Sequence, residues 1–231
     1  MDSTPASNSG PLIDVALAKM KTSIIRGELA PGTRLKVESL SKAYGLSSSP
    51  IREALNRLAQ DGIVRATENR GFWVSPISLD DFKDISRLRV LLEYEALMDS
   101  IEHGGEEWEV AVLTAFHRLS LAEKKLGPGP VALDDDWSDR HRAFHMALLS
   151  ATPNALLSTM VESLFDRAER YRRYSALHRI EERHKGTEHE ALMKAALARD
   201  KEKAGRLARK HIEGTLSRVA SALERQLATL Q

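Results

Sequence analysis

Between residues 36 and 75 the spacing of apolar residues changes character, and few folds accommodate that change. Val37, Leu40 and Ala43 fall on one face of a short helix, Gly45 interrupts it, and Ile51, Ala54, Leu55 and Leu58 fall on one face of a second. Two short helices joined by a glycine-containing turn predict a helix-turn-helix. Ser47, Ser48 and Ser49 offer hydroxyls to the orphan amides of the second helix, Pro50 is tolerated in its first turn, and Glu53 suits its positive end. Past Gly62 the pattern alternates: Ile63-Val64, a polar turn over 67–70, then Gly71-Phe72-Trp73-Val74. That predicts a small hairpin, the wing of a winged helix.

A protruding helix fits a major groove about 12 Å wide, and base edges are read by side chains such as Arg, Asn and Ser. The exposed face of the second helix carries Arg52, Asn56 and Arg57, and Asn69, Arg70 and Gly71 tip the wing. Residues 12–76 hold ten basic against six acidic side chains, a net of +4, which leaves −3 for the rest of a chain at +1. The positive field therefore sits on the groove-reading part, as phosphate neutralisation requires. A winged helix used only for protein contacts, or a small α/β domain, is the blander alternative.

With 231 residues the chain can form two domains. It has no cysteine, which excludes disulfides, thiolate metal sites and a Cys nucleophile. No apolar run approaches the roughly 18 residues of a membrane span, and the first eleven residues lack the regions of a signal peptide, so a cytoplasmic protein is expected. Those eleven small, polar residues predict a disordered tail. Leu12, Val15, Ala16, Met20, Ile24 and Ile25 then form a helical stripe to close the core of the winged helix over 12–77.

Beyond Pro76 only helical patterns follow. A first helix runs over 78–103 with Ser78 as cap and Ile85, Leu88, Leu92, Ala96 and Leu97 inward. Others are expected over 106–126, 134–151, from a Thr152-Pro153 cap and first turn to 176, over 178–199 and over 201–230. The fold class is thus mainly α, an N-terminal winged helix-turn-helix with a C-terminal all-α bundle of about six helices over 78–231.

All eight histidines lie in the helical part. His141 and His145, four residues apart, point off one face of the third bundle helix, a spacing that lets two imidazoles chelate one ion. His189 and His211 fall mid-helix, and bundles assemble metal sites from side chains on separate helices. Imidazoles suit zinc, nickel, copper or iron better than magnesium or calcium. A lone helical histidine is more often a surface residue, and His103, His117, His178 and His184 are read that way.

Two resemblances add to this reading. Ile25-Arg26-Gly27-Glu28-Leu29, Pro31-Gly32-Thr33-Arg34-Leu35, Ser49-Pro50-Ile51-Arg52-Glu53-Ala54-Leu55 and Arg70-Gly71-Phe72-Trp73-Val74 resemble the signature of the GntR superfamily of bacterial transcription regulators. The resemblance implies DNA contacts from Arg52 and from Ser47, Ser48 and Ser49, with Gly71 placing the wing tip. Arg34, Glu38, Asn56 and Arg70 complete the candidate DNA-binding set. Ser48 stands where many members carry a basic residue, so base preference is not transferable.

Asp139-Arg140-His141-Arg142-Ala143-Phe144-His145 with Asn154, Glu188-His189, the 195–200 run, His211-Ile212 and Arg89-Val90-Leu91-Leu92-Glu93 resemble the FCD effector domain of the FadR subfamily. The helix count is similar to the VanR-type group, and the Trp137-x3-His141-x2-Phe144-His145 run to CsiR-like regulators. The resemblance implies a divalent transition metal, zinc foremost and nickel among the others, on His145, His189 and His211. His141 stands where the family has an aspartate; it either ligates in its place or turns away to leave three ligands. Arg89 matches a position that takes a carboxylate, although pairing with Glu93 would also explain it. Residues 167–173 read as a solvated or dimer-facing surface.

The function expected is a DNA-binding transcription regulator, a repressor, dimeric on a palindromic operator and controlled by a small carboxylate effector. Rival readings are an architectural DNA-binding dimer without effector, and a metalloenzyme with an appended DNA-binding domain. Against the latter, the chain has no HExxH run, phosphate loop or nucleophile elbow.

Overall fold

The computed structural model describes residues 9–67, 70–126, 134–176 and 187–229. The chain divides into two compact units, Met1–Ile77 and Ser78–Gln231. The first contains α1 (Ser9–Ile25), β1 (Arg34–Leu35), α2 (Val37–Tyr44), α3 (Ser48–Gln60), β2 (Val64–Thr67) and β3 (Gly71–Val74). Ala16, Met20 and Ile24 of α1 and Leu40 of α2 pack with Ile51, Ala54, Leu55 and Leu58 of α3 against Ile63, Val64, Phe72 and Val74. Gly45 ends α2 in the left-handed region (φ 67°), which turns its N–H back to the Ser41 carbonyl and makes the corner between α2 and α3.

Several expectations need correction. Helix α1 begins at Ser9, so residues 9–11 are helical rather than part of a tail. Leu12 and Val15, expected inward, are 45% and 43% exposed. Ala43 is exposed too, and Tyr44 is half-buried beside it, its hydroxyl donating to Ser23 Oγ at 3.4 Å. The expected hairpin is a three-stranded antiparallel sheet in the order β1-β3-β2, with Leu35 opposite Phe72 and Thr67 opposite Gly71. A two-residue strand is too short to show a period.

Among the described residues the second unit has six helices: α4 (Leu79–His103), α5 (Glu106–Lys125), α6 (Asp135–Leu148), α7 (Ala155–Ala176), α8 (Thr187–Leu197) and α9 (Lys201–Thr229). Ser78 caps α4, its hydroxyl accepting the Asp81 N–H. The cap of α7 is Asn154, whose side-chain oxygen accepts the Leu157 N–H; the Thr152 hydroxyl instead donates to Asp99 at 2.6 Å. Helix α6 stops at Leu148, short of 151. Residues 177–186, with His178 and His184, lie outside the described residues. Arg199 ends the α8 segment at φ 58°, and its guanidinium donates to the carbonyls of Ile101 and Gly104.

Leu97, Ile101, Trp108, Val112, Leu119, Trp137, Phe144, Leu148 and Leu192 form the core of this unit. Leu88, expected within it, is 47% exposed, while Arg89 and Glu93 on the neighbouring face of α4 are buried. Among the described residues no helix is long and apolar enough to cross a membrane.

Candidate functional site

Helix α3 directs Arg52 and Asn56 outward, and Ser47, Ser48 and Ser49 are exposed at its start. The Ser47 backbone is extended, as a cap residue requires, but its hydroxyl makes no capping hydrogen bond. Arg57 is drawn to Asp14 at 3.2 Å and Glu53 at 3.9 Å, whereas Arg52 has no ion pair among the described residues. Glu38 is exposed in the first turn of α2. Arg34 donates to the Arg70 carbonyl at 3.2 Å and lies 5.6 Å over the Trp73 ring, which ties β1 to the wing. Gly71 opens β3 at φ 103°, a conformation that favours glycine. Arg70 is exposed beside it, and Asn69 lies outside the described residues.

In the helical unit His141 and His145 of α6, His189 of α8 and His211 of α9 converge, their nearest ring nitrogens all within 4.8 Å of one another. The pair four residues apart is tightest, Nε2 to Nε2 at 3.2 Å. His141, His145 and His189 are buried and His211 nearly so. Trp137 stacks on His141 at 4.6 Å, and Phe144 and Phe165 flank the rings.

Burial holds His141 well below the usual histidine range, helped by Arg172 and then by the other histidines. Burial does the same to His145, with His211, His189, Arg89 and Arg172 adding to it. His211 is lowered to about 4 by burial, against the opposing hydrogen bond it donates to Glu188, whose own carboxyl is held at about 2 by that bond. Neutral imidazoles are the ligating form.

The donor set suits a divalent transition ion. Zinc held tetrahedrally by imidazoles at about 2.0–2.1 Å places its ligand nitrogens roughly 3.3 Å apart, close to the His141–His145 separation. His189 is 5% exposed, and neither of its nitrogens has a hydrogen bond among the described residues. Its Nδ1 does lie 3.3 Å from Glu123 Oε1, within ion-pair distance but off hydrogen-bond alignment; the proximity is real and the bond is not formed. Two buried, unsatisfied imidazole nitrogens are costly unless something takes them.

Charged side chains surround the histidines. Arg89 Nε donates to Glu93 Oε1 at 2.5 Å, both side chains buried, so the pairing four residues apart is present. The guanidinium of Arg89 lies 4.9 Å from the Phe165 ring centre, and that of Arg172 lies 5.5 Å from it. Arg172 Nη1 is 3.1 Å from His141 Nδ1, and Arg172 also pairs with Glu169. A cavity of about 10 Å³, room for a single water, is lined by Glu93, His145 and His211 with Leu97, Leu192 and Ile212.

Residues 167–173 are not a solvated surface. Tyr171 is fully buried and donates to Asp81 at 2.6 Å, and Arg170 is 4% exposed. Arg167 pairs with Asp81, and Arg173 with Asp135 and Glu169. A run of charges reads as solvated only when its partners are unknown, and here they come from α4, α6 and α7 itself. The same blindness hid Arg172, Glu123 and Glu188: each meets a histidine on another helix. Glu188 is adjacent to His189 yet contacts His211.

Residues 12–74 match the family of bacterial regulatory proteins of the gntR type, and residues 84–214 match the FCD domain. The chain is 40% identical over 213 residues to the uncharacterized HTH-type transcriptional regulator BphR of Paraburkholderia xenovorans, covering 92% of this chain and 87% of that one. It is 34% identical to the HTH-type transcriptional repressor GlaR of Escherichia coli, over 84% of this chain and 89% of that protein. E. coli McbR/YncC shares the fold with a TM-score of 0.71 at 21% identity, over 94% of this chain and 98% of that one. Such relatives are regulators and not enzymes, which removes the metalloenzyme reading. An outward-facing helix-turn-helix in one unit and a polar, histidine-centred core in the other fit these matches: the chain belongs to the GntR family of DNA-binding transcription regulators, with an FCD domain.

Proposed function

We propose that the protein is a homodimeric repressor of a palindromic operator, released or engaged by a small carboxylate effector bound at or near a divalent transition metal. The metal ligands are His145, His189 and His211, with His141 as the fourth, and zinc is the preferred ion on an all-imidazole set. The observation that carries this reading is the convergence of four imidazoles in the core of one unit of a DNA-binding regulator. A bound divalent ion would supply a positive centre for an anionic oxygen. Arg89 would take a carboxylate in bidentate fashion once Glu93 yields it. The name of the relative GlaR supports the repressor sign.

DNA contact is assigned to Ser47, Ser48, Ser49, Arg52 and Asn56 in the major groove, with Arg34, Glu38, Arg70 and Gly71 on the backbone or the adjacent groove. Two readers about 34 Å apart match a two-fold symmetric site. The effector acts through linkage: it shifts operator affinity only by as much as its affinities for two arrangements of the helical unit differ.

The test is elemental analysis of the purified chain, then of His141→Ala. About one transition ion per chain, weakened in the variant, supports a four-histidine site. Full occupancy in His141→Ala leaves the three-histidine set, and no ion in either protein removes the metal from the proposal.

A further inference from the structure

Two carboxylates reach the histidine centre from outside it, and neither lies on the helix of the histidine it meets. Glu188 of α8 places Oε2 3.1 Å from Nδ1 of His211 on α9. Glu123 of α5 places Oε1 3.3 Å from Nδ1 of His189 on α8. We infer that Glu123 and Glu188 are the positioning residues of the metal centre, each holding Nδ1 of one histidine so that Nε2 is offered to the ion. The inference rests on the metal reading above.

A neutral imidazole carries one proton, and an ionised carboxylate only accepts. A carboxylate at Nδ1 therefore draws the proton there and leaves the lone pair on Nε2. It also restrains ring rotation across a helix boundary and raises the basicity of the ligating nitrogen. Glu123 is 9% exposed on α5, where an ionised carboxylate is stable only with polar or charged partners such as His189. Its Oε1 stands 3.3 Å from His189 Nδ1, off the line of a hydrogen bond but near enough to form one on a small rotation of the ring.

His141 has the opposite setting. Arg172 Nη1 lies 3.1 Å from its Nδ1 and 3.4 Å from its Nε2, and a guanidinium only donates. The Nε2 of His141 also lies 3.2 Å from His145 Nε2, so among the described residues His141 meets a cation and an imidazole where His189 and His211 meet carboxylates. The four imidazoles are thus unequal: a carboxylate stands at Nδ1 of His189 and of His211, and a guanidinium stands at His141.

The test uses the full chain, stripped with a chelator and titrated with zinc against a chromophoric chelator, and separately with cobalt(II). Glu123→Gln and Glu188→Ala should weaken zinc about 10–100-fold, with about one ion per chain still bound at saturation. Glu188→Gln should fall between wild type and Glu188→Ala, because its amide oxygen still accepts from Nδ1. The cobalt d–d bands should shift in the same order, which a surface ion pair would not produce. Glu188 is half-exposed, so its variants fold even where the buried Glu123→Gln does not. Unchanged zinc affinity and superimposable cobalt spectra in both Glu188 variants overturn the inference and leave the metal centre standing. A wild-type chain that binds neither ion overturns both.

Discussion

Acid should unfold the metal-free helical unit at a pH where most carboxylates are still ionised. His211 sits at about 4 in the folded chain against 6.5 in an unfolded one, because burial disfavours its charged form. With its folded value depressed, the unfolded state binds the extra proton below 6.5, so stability rises with pH across the window and is lost on acidification from 6.5 towards 4. Linkage over that interval gives a loss of about 2 kcal/mol between pH 7.5 and 5 from His211 alone, and at most about 3 kcal/mol by pH 4. His141 and His145 are shifted the same way and deepen the loss. Glu188 adds to the loss only below its ordinary value of 4.5, since its folded carboxyl is held at about 2 and the unfolded chain takes up that proton first.

One titrating group cannot exceed about 1.4 kcal/mol per pH unit, so a steeper slope reports several histidines at once. The assay is urea unfolding followed by far-ultraviolet circular dichroism, with chelator present, at half-unit steps from pH 7.5 to 5. His211→Gln keeps a donor for Glu188 but cannot titrate, and should flatten the profile by about 2 kcal/mol. A metal-free wild type whose stability changes by less than 1 kcal/mol over this range, or a His211→Gln profile parallel to it, would refute the reasoning.

Arg52→Ala should weaken operator binding about 10–100-fold with the thermal transition unchanged, read by fluorescence anisotropy at fixed salt; equal affinity removes Arg52 from the interface. Arg89→Met should destabilise the helical unit by about 3–5 kcal/mol because it strands the buried Glu93, whereas Arg89→Met with Glu93→Leu should recover most of the loss in denaturant melts. Gly104→Ala should cost about 1–3 kcal/mol, since its Cβ would meet the Ser100 carbonyl oxygen at 2.6 Å and the Trp108 ring at 2.5 Å; Gly205→Ala should cost less, because the Tyr94 ring it meets is 40% exposed and can swing away.

The winged helix was legible because its signals are local. Gly45, the apolar spacing of α3 and the alternation after Gly62 each act within a few residues, and the structure keeps all three. Strand β1 was not, because two residues carry no period and Leu35 pairs with Phe72, thirty-seven positions on. In the helical unit, spacing identified the His141–His145 pair, and resemblance added His189 and His211. What no spacing could reach was the set of partners from other helices: Arg172 at His141, Glu123 at His189 and Glu188 at His211. Periodicity failed for Leu88 for a related reason. The inward face of α4 is turned to bury Arg89 and Glu93, a charged pair that apolar pattern reading assigns to solvent.

The two ligands of the proposed site would then differ in what they decide. The centre joins α6, α8 and α9, and Glu123 extends it to α5, so an ion there bears on most of the bundle at once. Structural zinc sites supply on the order of 10 kcal/mol of folding free energy, whereas effector couplings are about 1–3 kcal/mol. A centre that strong would not be emptied by a change of that size, so under this proposal metal occupancy would fix the fold and the effector would choose between arrangements of a metal-loaded core. The Arg89–Glu93 pair is suited to that choice. It borders the histidines through the cavity shared by Glu93, His145 and His211. An incoming carboxylate would exchange one buried anion for another at Arg89, which leaves the net charge of the pair unchanged. The free-energy difference between the two arrangements would then be set by where Glu93 goes, and reversible control of an operator requires that the displaced carboxylate find another partner so that this difference stays small.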